Sequence, residues 1–262
     1  MVDPKDQKIF QGFVRADRQK QAAKEAPGAV LLRTGRYFLG TPYEAKTLDT
    51  SGSESLIINL RAFDCFTLAE NCCALAIMGH AGKDRFPDYA SILQSLRYRD
   101  GMIKGYPSRL HYFSDWLQEN EKKELIRDMT EALGGRSFQK VLNFMTAHSE
   151  LYPPLQDPAT CRQMMAIEER LSEPPRHLLP KGEISRWEGD ILEGDILAIT
   201  TDKEGLDVCH VGIAVRLDGQ LHLLHASQQA GQVVISPEML VDYLQQSPHR
   251  SGIMAARLIL PS

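Results

Sequence analysis

The apolar pattern of this 262-residue chain changes its period near residue 187. Before that point apolar residues recur mainly at helical spacing, and proline or glycine clusters separate the runs. After it, short apolar runs alternate with turns, and an Asp218-Gly219 pair between two runs is typical of a β-hairpin. Helices first and an antiparallel sheet later indicate an α+β fold.

The pattern predicts one domain over residues 1–262, built from segments of different character. Helices are predicted in 1–40, loop and short extended pieces in 41–64, a helical insertion in 84–186 and the antiparallel sheet in 187–262. The separate helices are predicted at 65–79, 84–98, 113–117, 121–133, 159–171 and 237–245. The strands are predicted at 196–200, 208–216, 221–226, 233–235 and 252–260.

Charge and composition exclude several classes of function. A net charge of −4 gives no basic field for nucleic acid. No run approaches the ~18 apolar residues of a membrane span, and the polar start lacks a signal-peptide pattern. We therefore expect a cytoplasmic protein, or a periplasmic or cell-envelope protein if an export signal has been removed. The five cysteines form no Cys-x-x-Cys pair, so no metal and no cofactor is expected.

Cys65 stands where a polar approach ends and the strongest helical pattern begins. A thiol at a helix start is favoured as the thiolate, because the helix dipole stabilises negative charge there. Cys72 and Cys73 lie inside the same apolar helix and are predicted to be buried. Glu70, one to two turns into the helix, is predicted to be a buried hydrogen-bonding anchor and not a catalyst.

Two histidines on predicted strands supply the other parts of a thiol hydrolase. His210 begins an apolar strand and is expected to face a groove beside the cysteine helix, as the base. His225 lies on the next strand, where neighbouring side chains are ~5 Å apart, and would orient His210. His222 alternates to the opposite face of that strand. Each residue alone is more often structural, but the ordered set Cys65, His210 and His225 favours catalysis.

The motifs around these residues resemble a known family. Asp64-Cys65, the His-Val-Gly-Ile run at His210 and the His-Ala-Ser run at His225 are similar to those of the NlpC-type cell-wall hydrolases, a papain-like group. The Gly-Thr-Pro-Tyr run ending at Tyr43 and the 108–116 segment resemble a branch described as N-acetylmuramoyl-L-alanine amidase-like. The resemblance runs from about residue 30 to the end of the chain.

The resemblance implies an NlpC-type core, with a catalytic helix packed on an antiparallel sheet, and an activity on cell-wall fragments. The expected substrate is peptidoglycan or a muropeptide, cut at the amide between N-acetylmuramic acid, in its ordinary or anhydro form, and L-alanine. Cleavage of the stem peptide after γ-D-glutamate and a catalytically inactive muropeptide-binding module stay open as alternatives. The long segment between Cys65 and His210 is expected to wall the cleft and to restrict the substrate.

The same resemblance nominates residues that contact the substrate. Tyr43 corresponds to a tyrosine that lines the cleft in the wider group, and Asp64 directly precedes the nucleophile. Ser108, Arg109 and Tyr112 are polar residues in an aromatic stretch, where Arg109 would bind a stem carboxylate in a bidentate manner. Their structural alternative is a packed helix start in which Arg109 makes an internal ion pair.

Overall fold

A computed structural model of the protein describes residues 3–18, 25–49 and 52–260. The predicted helical segment 1–40 includes residues 1–2 and 19–24, and the predicted loop 41–64 includes residues 50–51; these lie outside the described residues. The helices in the described ranges are α1 (Pro4–Arg18), α2 (Pro27–Tyr37), α3 (Cys65–His80), α4 (Phe86–Arg97), α5 (Phe113–Lys122), α6 (Phe144–Ala147), α7 (Pro158–Ser172), α8 (Ile184–Trp187) and α9 (Leu240–Gln245).

Antiparallel pairing joins the strands of the described chain into a single sheet. The strands are β1 (Ile126–Asp128), β2 (Arg136–Phe138), β3 (Arg176–Pro180), β4 (Ile196–Thr201), β5 (Val208–Leu217), β6 (Gln220–Ser227), β7 (Gln232–Ile235) and β8 (Arg250–Leu258). Their order is β2-β3-β8-β4-β5-β6-β7, and β1 also pairs with β8. The α+β fold with an antiparallel sheet is therefore confirmed.

The predicted hairpin joins β5 to β6. Asp218 and Gly219 have φ angles of 50° and 83°, and Leu217 pairs with Gln220 on either side of them. Positive φ at both central residues is the requirement of a type I′ turn, which matches the right-handed twist of the two strands. The sequence signal therefore fixed the register of the two strands that carry His210 and His225.

Two apolar cores lie on opposite faces of the sheet. On one face α2 and α3 pack against Val211, Ile213 and Leu224. On the other face α8 and α9 cover a second core that contains Ala214 and Leu223. The helix α3 is apolar around almost its whole circumference, because it is sandwiched between the sheet and α4. Within the described chain, no helix combines the length and the apolar character that crossing a bilayer requires.

The middle of the chain departs from its prediction as a helical insertion. The helix predicted over 121–133 is wrong: α5 ends at Lys122, Glu124 adopts a positive φ of 57°, and β1 follows. Ile126 is fully buried where it pairs with Leu258, so contact with β8 decides the structure of this short segment. β2 and β3 were likewise not predicted, because neither has an apolar alternation of its own.

Candidate active site

Cys65 is the first residue of α3, as its sequence context predicts. Asp64 is the N-cap: its carboxylate accepts hydrogen bonds from the backbone N–H groups of Phe66 (3.1 Å) and Thr67 (2.8 Å). The N–H of Asp64 donates to the Thr67 hydroxyl at 3.0 Å, which completes a capping box. This reciprocal cap fixes the helix start, and with it the position of the partly exposed Cys65.

The two predicted histidines are in direct contact. Nε2 of His210 lies 2.6 Å from Nδ1 of His225, and the two rings are nearly perpendicular at 88°. One of these nitrogens must carry the proton of this hydrogen bond. The contact leaves Nδ1 of His210 as the ring nitrogen that is free to exchange a proton with another group.

The end of the β5–β6 ladder explains how Cys65 approaches this pair. Pairing of β5 with β6 stops at Ile213 and Leu224. The N–H and the carbonyl of Ala214 bond to the segment just before β4, so by alternation the N–H of Val211 points towards β6, where no ladder continues. The Val211 N–H is among the groups that lower the pKa of the Cys65 thiol. The sulfur thus lies beside the backbone of the residue that follows His210.

The histidines occupy the sheet face opposite to α3. His210 shares its face with Ala214, and His225 shares it with Leu223, both of which belong to the core under α9. His210 is also the third residue of β5, after an irregularity in the β4–β5 register. His210 lines a cavity, and the expectation that this groove lies beside the cysteine helix stays a prediction.

Burial sets the protonation of all three groups. It raises the pKa of the Cys65 thiol to about 12, with the Asp64 charge as the next cause. Burial also lowers the pKa of His210 to about 3, with further lowering by His225 and Arg250. It lowers the pKa of His225 to about 4. Burial therefore disfavours the charged form of all three groups, whereas the helix dipole favours the thiolate of Cys65.

Two tyrosines flank the site. Tyr43 pairs its backbone with Phe63, and its pKa is raised by burial and by the nearby Cys65 and Asp64. Tyr243, on α9, lies with its ring centroid 6.0 Å from that of His210 and 5.4 Å from that of His225. Burial raises the pKa of Tyr243, and Cys65 adds to the increase. Both hydroxyls therefore keep their protons and can act as donors.

A family model for N-acetylmuramoyl-L-alanine amidase-like proteins, named AmiA-like, matches residues 33–253. This chain belongs to the AmiA-like family. The family match extends over the capped helix, both histidine strands and most of the sheet. No similar protein was found among curated sequences.

Two solved structures combine the AmiA-like fold with substantial sequence identity, and a third shares only the fold. An N-acetylmuramoyl-L-alanine amidase from Bacteroides uniformis is 36% identical, with a TM-score of 0.84 over 89% of this chain and 99% of that one. A Bacteroides fragilis protein that carries a xylanase name is 40% identical, with a TM-score of 0.81 over 87% of this chain and 100% of that one. A Legionella pneumophila protein, at 19% identity and a TM-score of 0.74 over 96% and 93% of the two chains, shares the fold alone.

Three residues that were predicted to contact substrate instead make polar contacts with other residues of this AmiA-like chain. The Ser108 hydroxyl donates to the Gly105 carbonyl, and the buried Tyr112 hydroxyl donates to Glu168 at 2.6 Å. Arg109 donates to the Leu48 carbonyl and makes ion pairs of 3.6 Å with Asp49 and with Glu54. These partners support the alternative in which the segment is a packed helix start and Arg109 has a structural role. A direct contact of Ser108, Arg109 or Tyr112 with substrate stays a prediction, as it does for Asp64, whose carboxylate caps α3.

The sequence motifs missed a cavity of about 940 Å³ beside the histidine pair. His210, His225 and Tyr243 line it, together with Lys203 and Arg250. Tyr243 lies in a six-residue helix and Arg250 begins the last strand, so neither stands in a recognisable motif. The packing of α9 over the sheet brings Tyr243 to the histidines, and the pairing of β8 with β4 places Arg250 opposite Thr201. Among the described residues no cluster suited to a metal ion occurs.

Proposed function

We propose that the protein is a thiol amidase of NlpC-type, papain-like architecture that cleaves the amide between N-acetylmuramic acid and L-alanine. The observation that carries this proposal is the 2.6 Å contact between Nε2 of His210 and Nδ1 of His225, beside a cysteine at a capped helix start. A nucleophile, a base and a group that orients the base are the parts that acyl transfer needs. Membership in the AmiA-like family supports the choice of bond.

In the proposed mechanism the thiol is deprotonated as it attacks. Because Cys65 and His210 are both neutral at rest, Nδ1 of His210 takes the thiol proton while the sulfur bonds to the lactyl carbonyl carbon. His210 then returns that proton to the alanine nitrogen, and the C–N bond breaks to leave a thioester. Water, activated by His210, hydrolyses the thioester and restores the thiol.

His225 and two donors complete this mechanism. His225 accepts the Nε2 proton of His210, which keeps Nδ1 of His210 unprotonated and directed to the thiol. The backbone N–H of Cys65 is a donor for the oxyanion, and the protonated Tyr43 hydroxyl is a second one. A single oxyanion donor typically contributes about 2.7–4 kcal/mol to transition-state stabilisation.

The lining of the cavity disfavours a glycosidase. Hydrolysis of a glycosidic bond ordinarily uses two carboxyl groups on either side of the bond. Among the described residues that line the cavity, Asp202 is the one carboxylate, and it is paired with His249 at 2.9 Å. The xylanase name of the Bacteroides fragilis relative therefore has no counterpart in the chemistry of this site.

The protonation states predict an unusual pH profile. We expect kcat/KM to stay constant from about pH 5 to about pH 9, because His210 remains neutral above its pKa of about 3 and the thiol keeps its proton up to about 12. The profile is measured with a soluble muropeptide, with circular dichroism at each pH as the control for unfolding. An alkaline decline near pH 8–9, about where a resting imidazolium would lose its proton, would contradict the neutral pair.

The masses of the products identify which bond is cleaved. Purified protein is mixed with muropeptides that carry N-acetylmuramic acid in its ordinary or 1,6-anhydro form, and the products are weighed by mass spectrometry. We expect a free sugar and an intact stem peptide. A product that keeps L-alanine and glutamate on the sugar would replace the amidase with a stem endopeptidase. An inert, folded wild-type protein would favour a binding module.

A further inference from the structure

We propose that the cavity beside the histidine pair binds a free carboxylate of the peptide part of the substrate, with Arg250 and Lys203 as its ligands. The inference rests on the proposed amidase function, and it assigns the leaving peptide to the α9 side of the sheet. Neither residue belongs to the catalytic trio, so both would act as determinants of specificity.

The position of the cavity supports this assignment. It is lined by His210 and His225 together with Tyr243 and Arg250, so a group inside it lies next to the proposed base and its partner. Cys65 begins α3, which packs on the opposite face of the sheet. The side of the scissile amide that receives the proton from His210 is the peptide side, and this side would face the cavity.

The charges in the cavity are unbalanced. Arg250 donates a hydrogen bond to the Tyr243 carbonyl, and its guanidinium carbon lies 4.1 Å from the Tyr243 ring centroid. Lys203 has its ammonium nitrogen 4.5 Å from the centroid of the Phe144 ring. Neither cation pairs with a carboxylate of a described residue, and Asp202 is already bonded to His249. Among the described residues that line the cavity, two cations stand against the single carboxylate of Asp202, and this excess of positive charge is suited to an acidic ligand.

The positive charge of Arg250 also acts on the two histidines of the site. Its positive charge is among the causes that lower the pKa of both His210 and His225. A carboxylate bound to Arg250 would offset that charge and make His210 a stronger base. Binding of an acidic peptide would therefore both position the substrate and strengthen proton transfer from Cys65.

A series of matched substrates tests the inference. Muramyl-L-alanine is extended with D-glutamate, D-isoglutamine or glutamic acid diamide, which carry two, one and no carboxylates, in both the ordinary and the 1,6-anhydro sugar form. For the wild type we expect kcat/KM to fall roughly tenfold or more between the fully acidic and the fully amidated substrate, as for the loss of a charge-assisted hydrogen bond. Arg250→Gln should abolish this preference, and Arg250→Lys should retain part of it.

Two further variants keep the test decisive. Lys203→Gln removes the second cation without removing a side-chain hydrogen bond to the described chain, and should lower the preference even if Arg250→Gln does not fold. Arg127→Gln, an exposed arginine on β1, is the matched control and should leave the preference unchanged. Equal kcat/KM for all three substrates, or an unchanged preference in both cavity variants, would overturn the inference while the amidase stands. Failure of the wild type to cleave any substrate would instead overturn the proposed function.

Discussion

Replacing Cys65 by alanine is expected to reduce kcat by about 10⁴-fold or more, because the Cys65 sulfur is the proposed nucleophile of the covalent intermediate. The neutral imidazole of His210 would keep its place but would have no thiol proton to accept. Stability should change little, since Cys65 is partly exposed at the first position of α3 and alanine is readily accommodated there. The release of stem peptide from a muropeptide, followed by mass spectrometry under single-turnover conditions, measures the loss.

Cys161→Ala is the matched control for this variant. Cys161 is also partly exposed and also lies in the first part of a helix, α7, but α7 packs in a different apolar core from α3. We expect it to keep the wild-type rate. If Cys65→Ala retained more than a tenth of wild-type activity while folded, the thiol mechanism would be wrong, whatever bond the protein cuts.

The second large effect concerns stability. Arg97→Met is expected to lower the free energy of unfolding by about 3–5 kcal/mol, because it leaves a buried carboxylate without its cation. Nε of Arg97 donates to Glu70 at 2.8 Å, and its Nη1 donates to the Ile57 carbonyl at 2.6 Å. Both side chains are 2% exposed or less, and the other Glu70 oxygen already lacks a partner. The hydrogen bond from Arg97 confirms that Glu70 is a buried hydrogen-bonding anchor. This bond joins α3 to α4.

The pH dependence of the stability that Arg97→Met loses identifies the cause of the loss. Burial raises the pKa of Glu70, and Arg97 opposes that increase. Without Arg97 the folded state would hold a proton on Glu70 more tightly than the unfolded state does, so stability would be lost as the pH rises. Urea unfolding at about pH 5 and about pH 8 should therefore show the larger deficit at pH 8.

A double variant separates charge from packing. Glu70→Leu combined with Arg97→Met removes both buried charges and should regain part of the stability, since an apolar pair carries no desolvation cost. Arg127→Gln changes an exposed side chain and should leave the urea unfolding curve unchanged. A double variant no more stable than Arg97→Met would mean that the hydrogen bond to the Ile57 carbonyl, and not the uncompensated charge, holds α4 in position.

The elements that carry the site were predictable because their signals are local. The capped start of α3 at Cys65, the turn at Asp218-Gly219 and the apolar alternation of β4, β5 and β6 depend on neighbouring residues in the chain. The short strands β1, β2 and β3 were not predictable, since their pairing with each other or with β8 supplies the stabilisation that their own sequences lack.

By itself, the sequence determined which residues could do the chemistry. A cysteine at a helix start and histidines on two strands joined by a tight hairpin follow from capping, turn geometry and periodicity, all of which act over a few residues. The tertiary structure decided how those residues are arranged and charged. It placed the histidines on the face under α9, added Tyr243 and Arg250, and raised the pKa of the thiol, because desolvation depends on what packs around a group and not on its neighbours in sequence.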